Sequence, residues 1–207
     1  MERPPQPSCL VGFDHVNRYW DRTHKIWVAK ILPGEYYVSV NPDEAIATTL
    51  GSCVSACIRD KVFGIGGMNH FMLPLKSEHT SDDWMDSATR YGSFAMEHLI
   101  NDILKHGGNR NNLEVKLTGG GKIMQNMSDV GARNIEFALE YLQTENIDLI
   151  IQDLGNIFPR KVMYYPTTGR LKVKKLRSLH NDTLIQREQA YQQELDVQPD
   201  SGGVELF

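Results

Sequence analysis

One cysteine and one histidine stand where the sequence can place a nucleophile beside its base. Cys53 lies in the run Gly51-Ser52-Cys53-Val54-Ser55-Ala56-Cys57, and His70 in Gly66-Gly67-Met68-Asn69-His70-Phe71-Met72-Leu73-Pro74. A thiol that gives its proton to a neutral imidazole becomes a thiolate, the reactive form of cysteine, and can attack an acyl carbon. The two residues before Cys53 add a second part of that chemistry. Without a side chain at Gly51, the amides of Gly51 and Ser52 can approach a substrate and donate to a developing oxyanion. Gly51 and Ser52 are therefore the expected substrate-binding pair.

Each of these residue types also has an ordinary use. A buried cysteine is by default a small apolar core residue, and Cys57 fits that description best. The chain has seven histidines, among them His79, His98 and His106, and a lone histidine is more often a surface or satisfied core residue than a base. Spacing is what singles out Cys53 and His70. Alternation puts Cys53, Ser55 and Cys57 on one face of a strand and Val54, Ala56 and Ile58 on the other. The segment Asp60-Lys61-Val62-Phe63-Gly64 then suits a reversing loop. If Arg59 pairs with Gly64, Cys53 and His70 fall directly opposite one another on one sheet face, with Cβ atoms about 4.5 to 5.5 Å apart. A slip of one residue would send them to opposite faces, and Gly66-Gly67 is where a bulge could alter the register. Thr48 and Thr49, just upstream, can supply a hydroxyl to orient the imidazole or the substrate amide, or can serve as ordinary strand residues.

The elements needed to hold such a pair are legible on both sides. His15 to Asp21 and Ile26 to Lys30 bring aromatics that demand burial and should wrap the core. Pro33-Gly34 punctuates the chain, Glu35 to Val40 reads as a strand ended by Asn41-Pro42, and Ile46 to Leu50 leads into the hairpin. From Ser81 onward Ala88, Tyr91, Ala95, Leu99 and Ile103 recur at helical spacing until Gly107-Gly108. Leu113 to Thr118 alternates as a strand ended by the turn Gly119-Gly120-Gly121. Val130 to Thr144 is a second helix with Ser128 as its cap, and Ile147 to Gln152 another strand. Arg160 to Tyr165 and Leu171 to Leu176 flank Pro166-Thr167-Thr168-Gly169, good turn chemistry for a closing hairpin. After Asn181 the chain turns Gln- and Glu-rich, with room for a short helix through Leu195, and Pro199-Asp200-Ser201-Gly202-Gly203 has the composition of a disordered end. The mixed order of strands and helices predicts an α+β fold, one domain of mixed or antiparallel sheets packed with helices. Residues 1–180 make up that domain with an N-terminal extension, and 181–207 a polar C-terminal tail.

Composition excludes several classes. A formal charge of −4, 41% hydrophobic and 23% charged residues are those of an ordinary globular protein, with no basic excess pointing to nucleic acid. The alternating Arg170, Lys172 and Lys174 read as a solvated strand face. No apolar run approaches the roughly 20 residues that span a bilayer, and the Pro-rich start lacks the apolar core of a signal peptide, so a cytoplasmic location is expected. Three cysteines without a CxxC pair argue for reduced thiols, not a disulfide framework or a zinc site. Gly119-Gly120-Gly121-Lys122 lacks the spacing of a phosphate-binding loop.

Thr48-Thr49-Leu50-Gly51-Ser52-Cys53-Val54 together with Gly64-Ile65-Gly66-Gly67-Met68-Asn69-His70-Phe71-Met72-Leu73-Pro74 resembles the signature of the CheD family of chemoreceptor glutamine deamidases. Further segments fit the same family: Leu32-Pro33-Gly34-Glu35-Tyr36, Lys116 to Gly121, Gly131-Ala132-Arg133-Asn134, Asp153-Leu154-Gly155 and Arg160-Lys161-Val162. The likeness covers most of residues 31–177. It departs at Asn156 and Pro159, where a family glycine is expected. The resemblance implies a cysteine hydrolase fold and a protein-glutamine glutaminase that converts receptor glutamines to glutamate. It makes Cys53 the nucleophile, His70 the base and a threonine the third catalytic residue. Strand parity favours Thr49 for that third place, whereas the family's threonine usually lies at least one residue earlier, which selects Thr48. No metal or organic cofactor is implied. The implied partners are the chemoreceptor cytoplasmic helical bundle as substrate and a CheC-type phosphatase, with no nucleic acid and no membrane insertion. Two other functions share the same site: a non-catalytic adaptor for receptors or phosphatase, and a cysteine hydrolase of small amides or esters.

Overall fold

A computed structural model describes residues 3–74, 84–123, 130–177 and 182–197. The first strands form a hairpin, β1 (Asn17–Asp21) against β2 (Ile26–Lys30), with Trp20 opposite Trp27. Its turn is made by the Asp21 carboxylate, which accepts from the amides of Thr23 at 2.8 Å and His24 at 2.9 Å, a side-chain substitute for a backbone turn. Of the aromatics expected to be buried here, Trp27 is, Trp20 is half-buried and Tyr19 stays exposed. The N-terminal extension thus enters a sheet as two paired strands.

The remaining elements are β3 (Tyr36–Ser39), β4 (Glu44–Leu50), β5 (Val54–Asp60), β6 (Gly66–Asn69), α1 (Trp84–Lys105), β7 (Leu113–Gly119), α2 (Val130–Thr144), β8 (Asp148–Leu154), β9 (Arg160–Tyr165), β10 (Arg170–Lys175) and α3 (Asp182–Val197). They make two five-stranded sheets, ordered β1-β2-β4-β9-β10 and β3-β6-β5-β7-β8. Each sheet is mixed: β2 and β4 run parallel in the first, β7 and β8 in the second, and the other pairs are antiparallel. One hydrophobic core draws on both sheets, with Ile46, Leu50 and Val162 from the first and Val54, Ile58 and Leu117 from the second. This is the expected α+β domain of mixed sheets and helices.

α1 packs on β3, β6 and β5, and α2 on β5, β7 and β8. The helical spacing read from the sequence delivers Ala88, Leu99 and Ile103 to the core, with Tyr91 and Ala95 at its margin. Past the end of α1, Gly107 and Gly108 donate back to the carbonyls of Leu104 and Ile103, which satisfies the last turn. The expected start at Ser81 and cap at Ser128 lie outside the described residues, as does the stretch Pro199 to Gly203.

Two features of the topology matter for the site. β4 belongs to the first sheet and β5 to the second, so Gly51-Ser52-Cys53 is the crossover between sheets. The β5–β6 hairpin forms, but its register corrects the expected one. Cys57 faces Met68, Ile58 faces Gly67, Arg59 faces Gly66, and a bridge joins Val54 to Phe71. His70 therefore lies opposite Ser55 and diagonal to Cys53. The reason is the loop. Asp60, not Arg59, closes it, donating its amide to Ile65 while its carboxylate accepts from the amides of Val62 and Phe63. The displacement is an even number of residues, so the side chains keep their shared face.

Candidate active site

Thr48 sits near the end of β4 and His70 just beyond β6, so the two sheets each contribute one residue to a buried contact. The Thr48 hydroxyl donates to the carbonyl of Ile31 at 2.9 Å and lies 2.8 Å from His70 Nδ1. A hydroxyl has a single proton. With that proton on Ile31, Thr48 must accept from His70, which puts the imidazole proton on Nδ1. His70 Nε2 is then a bare lone pair, and it has no hydrogen-bond partner among the described residues. The second nitrogen of an imidazole fixed in this way is free to take a proton. Thr49 pairs with Lys161 on the neighbouring strand and makes no such contact among the described residues.

Cys53 Sγ, a ring nitrogen of His70 and a carboxylate oxygen of Glu188 all lie within 4.8 Å of one another. The cluster is closed off: Cys53 is 0% exposed, His70 2% and Glu188 1%. Burial, and after it the Glu188 carboxylate, pushes the Cys53 thiol well up from its ordinary value. Burial, aided by the Arg187 guanidinium, pushes the His70 imidazole down to about 3. In this arrangement the resting pair is neutral thiol and neutral imidazole.

The amides expected to receive a substrate oxygen are occupied. Gly51 N donates to Glu188 Oε1 at 2.7 Å, Ser52 N to Oε2 at 2.9 Å, and the Ser52 hydroxyl to Oε2 at 2.6 Å. Glycine at 51 is what permits this approach, since a Cβ there would lie 2.7 Å from Glu188 Oε1 and 2.3 Å from Ile123 Cδ1. Cys53, His70 and Glu188 have the residue types of a cation site. Yet both carboxylate oxygens are already committed to N–H and O–H donors, the environment of an anion in an oxyanion pocket.

The crossover is braced from two sides. Gly120 N donates to the Cys53 carbonyl at 2.8 Å and Gly121 N to that of Gly51 at 2.7 Å. The expected turn at Gly119-Gly120-Gly121 is instead a strand end and the segment leaving it: Gly119 closes β7, paired with Val54 and Leu154, and Gly120 and Gly121 run on outside any turn and buttress the cysteine. From α2, the Asn134 side chain donates to the Ser52 carbonyl at 2.9 Å and accepts from the Leu73 amide at 2.8 Å, tying the crossover to the segment after His70.

A family model described as CheD, chemotactic sensory transduction, matches residues 72–175. The protein of Halorhodospira halophila named probable chemoreceptor glutamine deamidase CheD is 55% identical over 204 residues, spanning 97% of this chain and 94% of that one. One of the same name from Hahella chejuensis is 50% identical over 203 residues, spanning 98% and 96%. The chain belongs to the CheD family. The solved YfiH structure of Bacillus licheniformis, a hypothetical protein, shares 12% identity with a TM-score of 0.36 over 58% of this chain and 51% of that one, too slight a likeness to compare sites.

Membership in the CheD family gives meaning to the departure at Asn156. Its φ is +69°, the left-handed region that glycine enters freely and asparagine tolerates. The expected glycine and the observed asparagine thus answer one backbone demand. Pro159 keeps its carbonyl in use, accepting from Leu176 N at 2.8 Å. Two site residues were not singled out from sequence, Asn134 and Glu188. Glu188, Tyr191, Gln192 and Leu195 recur at the spacing of one helix face, but only two of the four are apolar, and the Gln- and Glu-rich stretch around them reads as a polar tail.

Proposed function

We propose that this protein deamidates glutamine side chains of chemoreceptors to glutamate, with Cys53 as nucleophile, His70 as base and Thr48 as the residue that positions His70. The observation that carries the chemistry is the Thr48 hydroxyl between Ile31 and His70 Nδ1, which leaves Nε2 to act on the thiol. The substrate follows from the relatives' name, probable chemoreceptor glutamine deamidase.

In the first step Nε2 takes the Cys53 proton and Sγ bonds to the amide carbon. The carbonyl oxygen gains negative charge, and the Gly51 and Ser52 amides receive it. The C–N bond then breaks, and the imidazolium gives its proton to the departing ammonia. Water, deprotonated by Nε2, attacks the thioester, and its cleavage returns the thiol and leaves a carboxylate. Every proton movement uses a group of this chain or water, so the sequence of steps calls for no metal or organic cofactor. A neutral amide becomes a charged carboxylate, which alters the electrostatics of a receptor helical bundle.

The same reading places the enzyme in the cytoplasm, on the receptor's cytoplasmic bundle, with a CheC-type phosphatase as regulatory partner and no role for nucleic acid. Incubated with a chemoreceptor cytoplasmic fragment, the protein should raise the fragment's mass by about one dalton per converted glutamine, and Cys53→Ala should raise it by none. Full conversion by Cys53→Ala would sink the mechanism. Normal chemotaxis in cells carrying Cys53→Ala, lost on deletion of the gene, would instead mark a non-catalytic adaptor.

A further inference from the structure

Glu188 is out of place as a structural residue. A carboxylate at 1% exposure is costly unless hydrogen bonds or an opposite charge compensate it, and among the described residues Glu188 has no ion-pair partner. Its compensation comes from three donors, the Gly51 amide, the Ser52 amide and the Ser52 hydroxyl. Two of these are the amides that the proposed reaction needs for its oxyanion. Glu188 also carries the side chain that the reaction produces, a glutamate, with an oxygen within 4.8 Å of the Cys53 sulfur and a His70 nitrogen. It is presented from a helix.

The rest of α3 is seated by a single face. Tyr191, one turn on, is buried against Gly34, where a Cβ would lie 3.0 Å from its hydroxyl, and shares a hydrogen bond with Tyr91 of α1. Gln192 is buried beside it, and Leu195 packs at the edge of the core. The contacts nearest the cysteine are polar, unlike the apolar stripe by which α1 and α2 hold to the sheets. Such a face suits exchange with another helix better than permanent docking.

We propose that α3 is an internal product mimic: it holds Glu188 in the pocket for the substrate's amide group, closes the site over Cys53, and must yield that place to the helix that carries a substrate glutamine. This rests on the deamidase reading and adds the regulation of that site. While α3 is seated, Cys53 is fully buried, and the carboxylate beside it opposes thiolate formation. When α3 leaves, the pocket opens and the negative charge goes with it. Receptor and α3 therefore compete for one site, and whatever binds α3 elsewhere raises activity.

The decisive experiment converts the mimic into a substrate. In full-length Glu188→Gln the new amide lies in the pocket, and Cys53 of the same molecule should hydrolyse it, with loss of ammonia, uptake of water and a gain of about one dalton at position 188. The rate should not depend on protein concentration. The double variant Cys53→Ala/Glu188→Gln should keep its amide. An amide that survives with Cys53 present, while the same preparation converts a receptor fragment, overturns the product mimic and leaves the deamidase reading standing. Conversion at position 188 with no action on the receptor supports the mimic and removes the receptor as substrate. Full-length Glu188→Ala gives a readout free of any amide: alkylation of Cys53 by iodoacetamide at neutral pH should quicken about tenfold or more, the effect of about one unit on a thiol pKa. An unchanged alkylation rate overturns the proposal.

Discussion

A single hydroxyl proton decides the protonation state of the candidate base. Thr48 has one to give, and Ile31 takes it. His70 must therefore supply the proton between Nδ1 and Thr48, and any residue unable to accept there frees the ring to adopt the other tautomer, with its proton on Nε2 and no lone pair for the thiol. Thr48→Val keeps the shape and removes the acceptor. It should lower kcat roughly 10- to 100-fold with KM little changed, less than the roughly 100- to 10,000-fold that a whole general base contributes. Thr48→Ser, which restores the hydroxyl, should recover most of the rate. The valine variant also leaves the Ile31 carbonyl and the His70 N–H without partners, a loss of about 1 to 3 kcal/mol in urea unfolding. Equal stability losses in the valine and serine variants, with activity following stability, would make Thr48 a structural residue only.

At the level of elements, the site is a crossover held between two sheets, and its rigidity comes from the end of β7 and the segment that follows it. Gly119 has a φ of +121°, and a Cβ on it would lie 2.2 Å from the Cys53 carbonyl oxygen. Both are fixed backbone, so Gly119→Ala should cost at least about 2 kcal/mol in urea unfolding and lower kcat by displacing Cys53. Gly12→Ala is the matched control: its φ is also positive, at +96°, but nothing lies within 4 Å of the new Cβ, and only the backbone strain of about 1 kcal/mol should remain. Glycine composition suggests a turn here, but Gly119 is the paired end of β7 and what the run presses against is set by the crossover it meets. The same division runs through the site. Period-2 alternation along β5 was enough to put Cys53 and His70 on one face, because any even displacement preserves it. The exact opposition was not legible, since it depended on whether Arg59 or Asp60 closed the loop, and the Asp60 carboxylate decided that. The placement of Thr48 against His70 instead of Thr49 also lay beyond strand parity, because β4 is in the other sheet and approaches the histidine from outside the hairpin. Glu188 was the least legible. Its contacts with Gly51 and Ser52 span more than a hundred residues, 137 and 136, and nothing in a Gln- and Glu-rich stretch distinguishes the glutamate that turns inward.

For the whole molecule, folding around a neutral buried imidazole links stability to pH. His70 titrates near 6.5 when unfolded and is pushed down to about 3 by burial, with the Arg187 guanidinium adding to it and Cys53 and Glu188 completing its surroundings. Between those values the unfolded chain binds a proton that the folded chain refuses. The unfolded state therefore holds more protons, and stability rises with pH across this window. Above about 6.5 neither state is protonated and the contribution is flat. As pH falls from there toward 3, His70 costs up to about 1.4 kcal/mol of stability per pH unit. Asp21, Asp60 and Asp153 act in a separate window. Burial raises their carboxyls, but hydrogen bonds from the backbone and side chains outweigh it and hold them below the usual value of 3.8, so their contribution is fully present above that value and lost only at more acid pH. Urea unfolding between pH 7.5 and 5 isolates the histidine. The protein should lose stability steadily below about pH 6.5, and His70→Gln, which cannot titrate, should flatten much of that slope even if it lowers stability at every pH. A slope that persists in full in His70→Gln would assign the acid sensitivity to another group and place His70 in a setting that tolerates its charge.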